Sequence, residues 1–480
     1  MILNKEYYLN LFGVTEAQLE QLAGEALRNG GDYCDLYFED SFYSEILLRD
    51  SCVSSGGEDL AYGCGIRVLD GEKTGYAYAE STEMPELLTA ARAASSICTS
   101  RRTEPVAVSE GSRYFGRPNP AADRFPMDGD WRKAKNSEFV PFLERIDRGI
   151  REKEPRTVKV IASLSDSVSD IMMYNSFGEL KYDTRPLASL SVSIIFRQGD
   201  RTEDRSVGRS FRTGTEFLTE ELVNEIVEEA VQGVDEMFDA RRPKGGRMSV
   251  VMGAGASGIL LHEAMGHAFE ADFNRKGQSI FADKMGRRIC PKGITIVDDG
   301  TIKGNRGSLN FDDEGVPGQK TAMVEDGVLS SYLHDRVSAR WYGVAPTGNG
   351  RRESFRYNPI PRMRATYMEN GGDGTLQDLI SSVDKGIFVN RFSNGQVKIG
   401  EGDFTFYVKS GFLIENGRLT MPVKDLNIVG NGPRALSDIR AVAGDLRIDN
   451  GTWTCGKEQS VAVSCGIPSV LVGNLTVGGE

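Results

Sequence analysis

The 480-residue sequence is poor in histidine, with only His262, His267 and His334. It also lacks a long apolar run: nothing approaches the ~18 residues that a membrane-crossing helix needs. The start, MILNKEYYLNLFG, has no basic stretch followed by an apolar one, so no signal peptide is read there. Seven cysteines are scattered in odd number and without framework spacing, which excludes a disulfide scaffold and fits reduced thiols. Basic excess is missing as well. Lys and Arg total 57 against 69 Asp and Glu, for a net charge of −12. An acidic surface speaks against nucleic acid and against an anionic membrane as partners. These absences describe a soluble protein of the cytoplasm.

What is present is ordinary globular material, 39% hydrophobic and 26% charged. At ~150 residues per domain the length suggests about three units. The first helix is TEAQLEQLAGEALRNGG. Thr15 and Gln18 form a capping box, Leu19, Leu22, Ala23, Ala26 and Leu27 mark one face, and Asn29-Gly30-Gly31 stops it. Four short β runs follow (YCDLYFE, YSEILLRD, YGCGIRVLDG, TGYAYAE), then a helix at about 82–98. The same order recurs. A helix at about 137–153 leads into runs around VKVIASLS, IMMYNS, GELKYD and LASLSVSIIFRQ, and one long helix, 219–238, closes the set. Helix, meander, helix thus appears twice, as in two similar halves.

Between them, 101–130 is a Pro-rich linker. RRPKGG, at 241–246, marks the next boundary. Beyond it the Asp326-Gly327 and Asn416-Gly417 dipeptides sit between apolar runs as hairpin turns. The expected class is α+β. An N-terminal α+β unit (1–100), the linker (101–130) and a middle α+β unit (131–243) precede a mainly antiparallel β domain (244–480) with one or two inserted helices.

The chemistry gathers in LLHEAMGHAFEADF, where His262-Glu263 and His267 spell H-E-x-x-x-H, one residue longer than the zinc-protease H-E-x-x-H. On a regular helix, residues i and i+4 lie roughly 40° apart, whereas i and i+5 lie roughly 140° apart. Both rings reach one metal only if the helix is kinked or carries a π-type turn, and Gly266 would permit that distortion. Two core histidines on an ordinary helix are the plainer reading of either residue alone. A pair bracketing a glutamate in so histidine-poor a chain favours a metal, with Glu263 as the base acting on water. A catalytic zinc needs a third protein ligand. The residues alone leave Glu270, Asp272, His334 or a cysteine of the β region as candidates. GAGASG lacks an acidic ribose partner, and nucleotide binding is discounted. Arg351, Arg352 and Glu353 lie in a Gly-rich loop, where they either orient a peptide or form a buried ion-pair network.

HEAMGHAFEADFNR resembles the metal motif of the TldD/PmbA family of metalloproteases, proteins once described as modulators of DNA gyrase. GNGRRESFRYNPIPRM, GFLIENGRL, LRIDNGTWTCGKEQS and the terminal VGNLTVGG are similar to its C-terminal pattern, and GCGIRVLDG with TGYAYAE to its first domain. The likeness covers most of the chain and is weakest from 101 to 248. It implies a metal held by His262, His267 and Cys455, the cysteine just before G-K-E, and it implies a TldD-type subunit, since the PmbA branch lacks these residues. It further implies a zinc peptidase acting on short or unfolded peptides, as in leader-peptide removal or antitoxin degradation. A PmbA-type subunit or a second copy would be the partner enclosing a chamber. A His₂Cys set also admits iron. Two rivals stand beside this reading. One is an interaction module with a structural metal, which has no need of Glu263; the other is an amidase on small molecules. Cys465 has no assigned role.

Overall fold

The computed structural model describes residues 4–98, 124–125 and 127–479. The linker read at 101–130 lies for the most part outside the described residues. Among the described residues, six α-helices lie in the first half: α1 (Lys5–Leu11), α2 (Glu16–Ala26), α3 (Met84–Ser95), α4 (Asn136–Lys153), α5 (Glu220–Val231) and α6 (Val234–Asp239). Thr15 and Gln18 form the expected capping box on α2. The short α1 was not expected; Asn4 caps it by accepting from the Tyr7 amide, and the Tyr8 hydroxyl lies 2.7 Å from Thr184 Oγ1. The helix expected at 219–238 is broken into α5 and α6, because Gly233 turns the chain into the left-handed region at φ 69°.

The short β runs merge into long strands: β1 (Tyr33–Arg49), β2 (Cys52–Asp70), β3 (Lys73–Ala79), β4 (Thr157–Asn175), β5 (Leu180–Gln198) and β6 (Arg201–Phe211). Serines and aspartates between the runs resemble turn residues, yet they continue the alternation. Ser41 Oγ reaches Ser169 Oγ across the strands at 2.7 Å, and the Thr184 hydroxyl donates to Asp170. Both halves share one antiparallel sheet of order β3-β2-β1-β4-β5-β6, with β1 and β4 paired at its centre. Each half builds outward from that central pair, so the two meanders form one sheet.

One face of the sheet is apolar and carries the helices. Cys34, Leu36 and Phe38 of β1 pack with α1, α2 and α3, while Ile46 and Leu48, farther along the same face, pack with α4, α5 and α6. The opposite face meets the C-terminal region. There Tyr37, Ile171 and Met173 enclose Phe311 and Phe355.

In the C-terminal region the strands Gly246–Met252, Lys385–Lys398, Asp403–Glu415, Leu426–Asn431 and Val470–Gly478 each pair with two neighbours and close a five-stranded barrel. A second sheet, which includes Ile296–Asp299, Ala365–Met368 and Ser464–Ile467, lies beside it. Most pairs are antiparallel as expected. Two are parallel: Lys385–Lys398 with Gly246–Met252, and Ala365–Met368 with Ser464–Ile467. Asp326-Gly327 and Asn416-Gly417 form their hairpin turns with both residues at positive φ. No helix among the described residues is long and apolar enough to cross a membrane.

The seam between sheet and C-terminal region is held by buried charge. Arg67 on β2 donates to Asp35 at 2.8 Å and to Glu314 at 2.6 Å, and all three side chains are fully enclosed. Replacing Arg67 by Ala takes the guanidinium from buried Glu314 and leaves buried Asp35 with Arg352 alone, at 3.4 Å. Stability should fall by about 3–5 kcal/mol, to be measured by denaturant unfolding. A loss under 1 kcal/mol would mean that this triad does not hold the seam.

Candidate metal centre

The segment after the first barrel strand begins as one α-helical turn, Ile259–Leu261. It then widens into a π-helical turn over His262–Gly266 and tightens into a 3₁₀ turn over His267–Phe269. That widened turn is the distortion an i→i+5 pair requires. Gly266 is needed there for space, since a Cβ would run into the Met363 sulfur. The apolar side of the segment, Ile259, Leu260, Leu261, Ala264 and Met265, packs into the core of the barrel.

As a result the two imidazoles stand 5.1 Å apart, ring centre to ring centre, at nearly a right angle. Cys455 arrives from the hairpin of Thr454–Lys457 and Gln459–Ala462, and its Sγ lies 3.3 Å from His267 Nε2. Donor atoms of His262, His267 and Cys455 all lie within 4.8 Å of one another, and all three residues are buried. Among the described residues no other set of three potential ligands converges in this way. Glu263 follows His262 directly and is half-buried.

The other candidates for a third ligand lie elsewhere. Glu270 is turned to the far side of His267, with Oε2 3.0 Å from Nδ1. Asp272 accepts from Lys457 Nζ at 2.8 Å. His334 sits among the rings of Tyr332 and Tyr342, and Cys290 and Cys465 are buried thiols outside the group. Arg351 and Arg352 are buried rather than presented on an open loop. Arg351 donates to the Ala462 carbonyl at 2.7 Å, and Arg352 stacks on Tyr37 and donates to the Asp313 carbonyl. Glu353 accepts the Ser460 amide. Of the three, Arg352 alone is in a buried ion pair among the described residues, with Asp35 at 3.4 Å; Arg351 bonds main-chain carbonyls and Glu353 is exposed.

The electrostatics suit a cation. Burial alone would push the Cys455 thiol up, but His262 and His267 outweigh it and bring the sulfur down to about 5, which favours its thiolate form. Burial opposes charge on His267, yet Glu270 and Cys455 overcome it and hold the imidazolium well above its usual range. His262 Nδ1 is a buried nitrogen with no hydrogen-bond partner. A low-pKa thiol, two imidazole rings and an unsatisfied ring nitrogen fit a thiophilic divalent metal such as zinc, which would displace the proton that Glu270 and Cys455 favour on His267.

Two residues without an assigned role in the sequence support this group. Lys457 Nζ lies 3.1 Å from Glu270 Oε2, and Arg362 Nε lies 3.7 Å from Oε1. Burial raises the pKa of Glu270, but Lys457, His267 and Arg362 together pull it down to about 2. An ionised Glu270 on Nδ1 turns Nε2 of His267 toward Cys455. Both cations lie in segments that resemble the family, but only the fold shows that they meet.

Comparison with known proteins agrees with this architecture. Residues 34–98, 129–237 and 245–479 match the family models of PmbA/TldA metallopeptidase domain 1, central domain and C-terminal domain. The chain is 38% identical to a metalloprotease TldD homolog of Haemophilus influenzae over 454 residues, covering 93% of each chain. It is 37% identical to another from Buchnera aphidicola, over 96% of this chain and 95% of that one. Two crystal structures share the fold. A candidate modulator of a DNA gyrase from Thermotoga maritima has a TM-score of 0.77 at 22% identity, covering 96% of this chain and 99% of that one. TldE from Thermococcus kodakarensis has a TM-score of 0.74 at 21% identity, covering 96% and 100%. The matched family models and the curated relatives define the class as a metallopeptidase. The chain belongs to the PmbA/TldD family of metallopeptidases, and it is a TldD-type member with a metal cofactor.

Two expectations follow. Gly266→Ala drives a methyl into Met363, so stability should drop by about 1–3 kcal/mol and metal content should fall with it; a variant with wild-type stability and metal would show that the turn tolerates a side chain. His334 is pushed down from 6.5 to about 4 by burial. Between those values the unfolded chain binds the extra proton, so this stability contribution is whole above pH 6.5 and is lost as the pH falls toward 4. At full extent it amounts to about 3 kcal/mol. His334→Gln should flatten that part of the pH–stability curve, and an unchanged slope would contradict the assignment.

Proposed function

We propose that the protein is a zinc-dependent peptidase that hydrolyses short or unfolded peptides, with His262, His267 and Cys455 as the metal ligands and Glu263 as the general base. The observation that carries this reading is the π-helical turn, which puts both imidazoles beside the Cys455 sulfur and leaves the intervening glutamate half-exposed. A bound zinc ion supplies Lewis acidity to the scissile carbonyl and to water. Glu263 takes the proton of the attacking water on its carboxylate and returns it to the leaving amine. Glu270 keeps His267 in one tautomer, and Lys457 keeps Glu270 ionised. Iron is the competing ion that the same ligands admit.

A groove of about 1420 Å³ runs between α5, β6 and the barrel and is bordered by Trp453, two residues before Cys455. Among the described residues, the outer edge of β6 has no strand partner in its sheet. An extended peptide added there as a further strand would be recognised through its main chain. That suits leader peptides or an unfolded antitoxin better than a folded protein. The proposed setting is the cytoplasm, and the proposed partner is a PmbA-type subunit or a second copy. The TldE-like fold of a neighbour supports the first of these. An interaction module with a structural metal is less favoured, because such a site has no use for Glu263.

Metal analysis and cleavage of unstructured peptides, with and without a PmbA-type subunit, test the reading. Glu263→Gln should keep its metal and lose cleavage by about 10²–10⁴-fold, whereas Cys455→Ala should lose the metal. Wild-type protein that binds metal and cleaves nothing, even with a partner, would shift the reading to the interaction module. Turnover of small amides alone would shift it to an amidase.

A further inference from the structure

Four guanidiniums are enclosed where the middle region abuts the metal-bearing region. Arg212 follows the edge strand β6, Arg306 lies in the loop after Ile296–Asp299, Arg351 ends the short strand Gly350–Arg351, and Arg364 precedes Ala365–Met368. None is more than 8% exposed. Arg67, Arg185 and Arg352 in the same seam each have a carboxylate partner. Among the described residues, Arg212, Arg306, Arg351 and Arg364 have none within 4.0 Å.

Their hydrogen bonds go to main-chain carbonyls instead: Arg212 to Pro186 at 3.3 Å, Arg306 to Gly451 at 3.5 Å, Arg351 to Ala462 at 2.7 Å and Arg364 to Gly348 at 2.6 Å. A carbonyl offers a partial charge only. Nε of Arg212, Nε of Arg306, Nη2 of Arg364 and the nearby Ser308 Oγ are buried with no partner at all. Burial and repulsion from Arg185, Arg364 and Arg306 lower Arg212 to about 9, and burial with Arg364, Arg362 and Arg212 takes Arg351 well below its usual value. Carboxylates beyond ion-pair distance partly balance all four: Asp312, Asp313 and Asp298 for Arg364, Asp183 for Arg212, Asp313 for Arg351 and Asp449 for Arg306. What stays unmet is at the guanidinium edges: three buried N–H groups and one hydroxyl have no partner, an arrangement that is costly unless an acceptor completes it.

We propose that Arg212, Arg306, Arg351 and Arg364 hold a small oxyanion of the phosphate or sulfate kind. Planar guanidinium forks match the paired oxygens of such an ion and fit a spherical halide poorly. The site is separate from the proposed metal ligands, and the proposed cleavage uses none of these residues. Arg306 and Arg351 hold Gly451 and Ala462, one on each side of the Cys455 hairpin strands. The anion therefore ties down that hairpin as it accepts from those donors.

The test uses the full chain, dialysed exhaustively against phosphate- and sulfate-free buffer. Ion chromatography of the unfolded protein measures oxyanion retained. Thermal unfolding and hydrogen exchange, with phosphate added against chloride at equal ionic strength, measure oxyanion bound. The expected result is either about one phosphate or sulfate retained per chain, or a Tm rise of about 3 °C with saturating phosphate. In the second case exchange should slow in 304–308 and 449–463. Arg212→Met and Arg306→Met should lose the retention or the response, yet unfold no earlier than wild type in oxyanion-free buffer. No retention and no phosphate response in the wild type would overturn the proposal, as would a full response in both variants.

Discussion

The extra residue in the turn His262–Gly266 is the constraint on which the rest of the site depends. On a regular helix the two histidines would diverge, and no placement of Cys455 could bring all three together. The wider turn is stable because its apolar residues sit in the barrel core, where packing outweighs the poorer hydrogen-bond geometry of a π turn. Gly266 removes the one Cβ that would stop Met363 from closing over it. The barrel, the missing side chain and the spacing of the histidines form a single device.

A second constraint is the seam. The N-terminal sheet puts an apolar face toward its helices and a charged one toward the C-terminal region. Arg67, Asp35 and Glu314 meet there at hydrogen-bonding distance with no access to solvent. Buried ion pairs add little net stability over an apolar interface, but breaking one is expensive, so they fix register. The loops 305–318 and 348–356 are held by these contacts, and the second of them leads into Arg362, which faces Glu270. The order imposed by the sheet thus reaches the carboxylate that orients His267.

The parts legible in the sequence were those that local chemistry decides. Thr15 and Gln18 announced a helix, and Asp326-Gly327 and Asn416-Gly417 announced hairpins, because caps and tight turns draw on a few adjacent residues. The need for a distorted helix at His262–Gly266 followed from spacing alone. Strand length was not legible. Ser41, Ser169 and Asp170 carry turn chemistry, but cross-strand partners satisfy them, and those partners are more than a hundred residues away for Ser41 and Ser169. Gly233 lies inside the helix expected at 219–238 and breaks it instead. Barrel closure joins strands from both ends of the C-terminal region, so no window could contain it. Cys455 lies 188 residues from His267, and only its resemblance to a family segment marked it; nothing marked Lys457 or Arg362.

X-ray absorption on the zinc-reconstituted protein tests the central claim most directly. The account predicts one sulfur at about 2.3 Å and two imidazole nitrogens at about 2.0–2.1 Å, with the sulfur signal lost in Cys455→Ser. A first shell of nitrogen and oxygen alone, or a sulfur signal that survives that substitution, would contradict it.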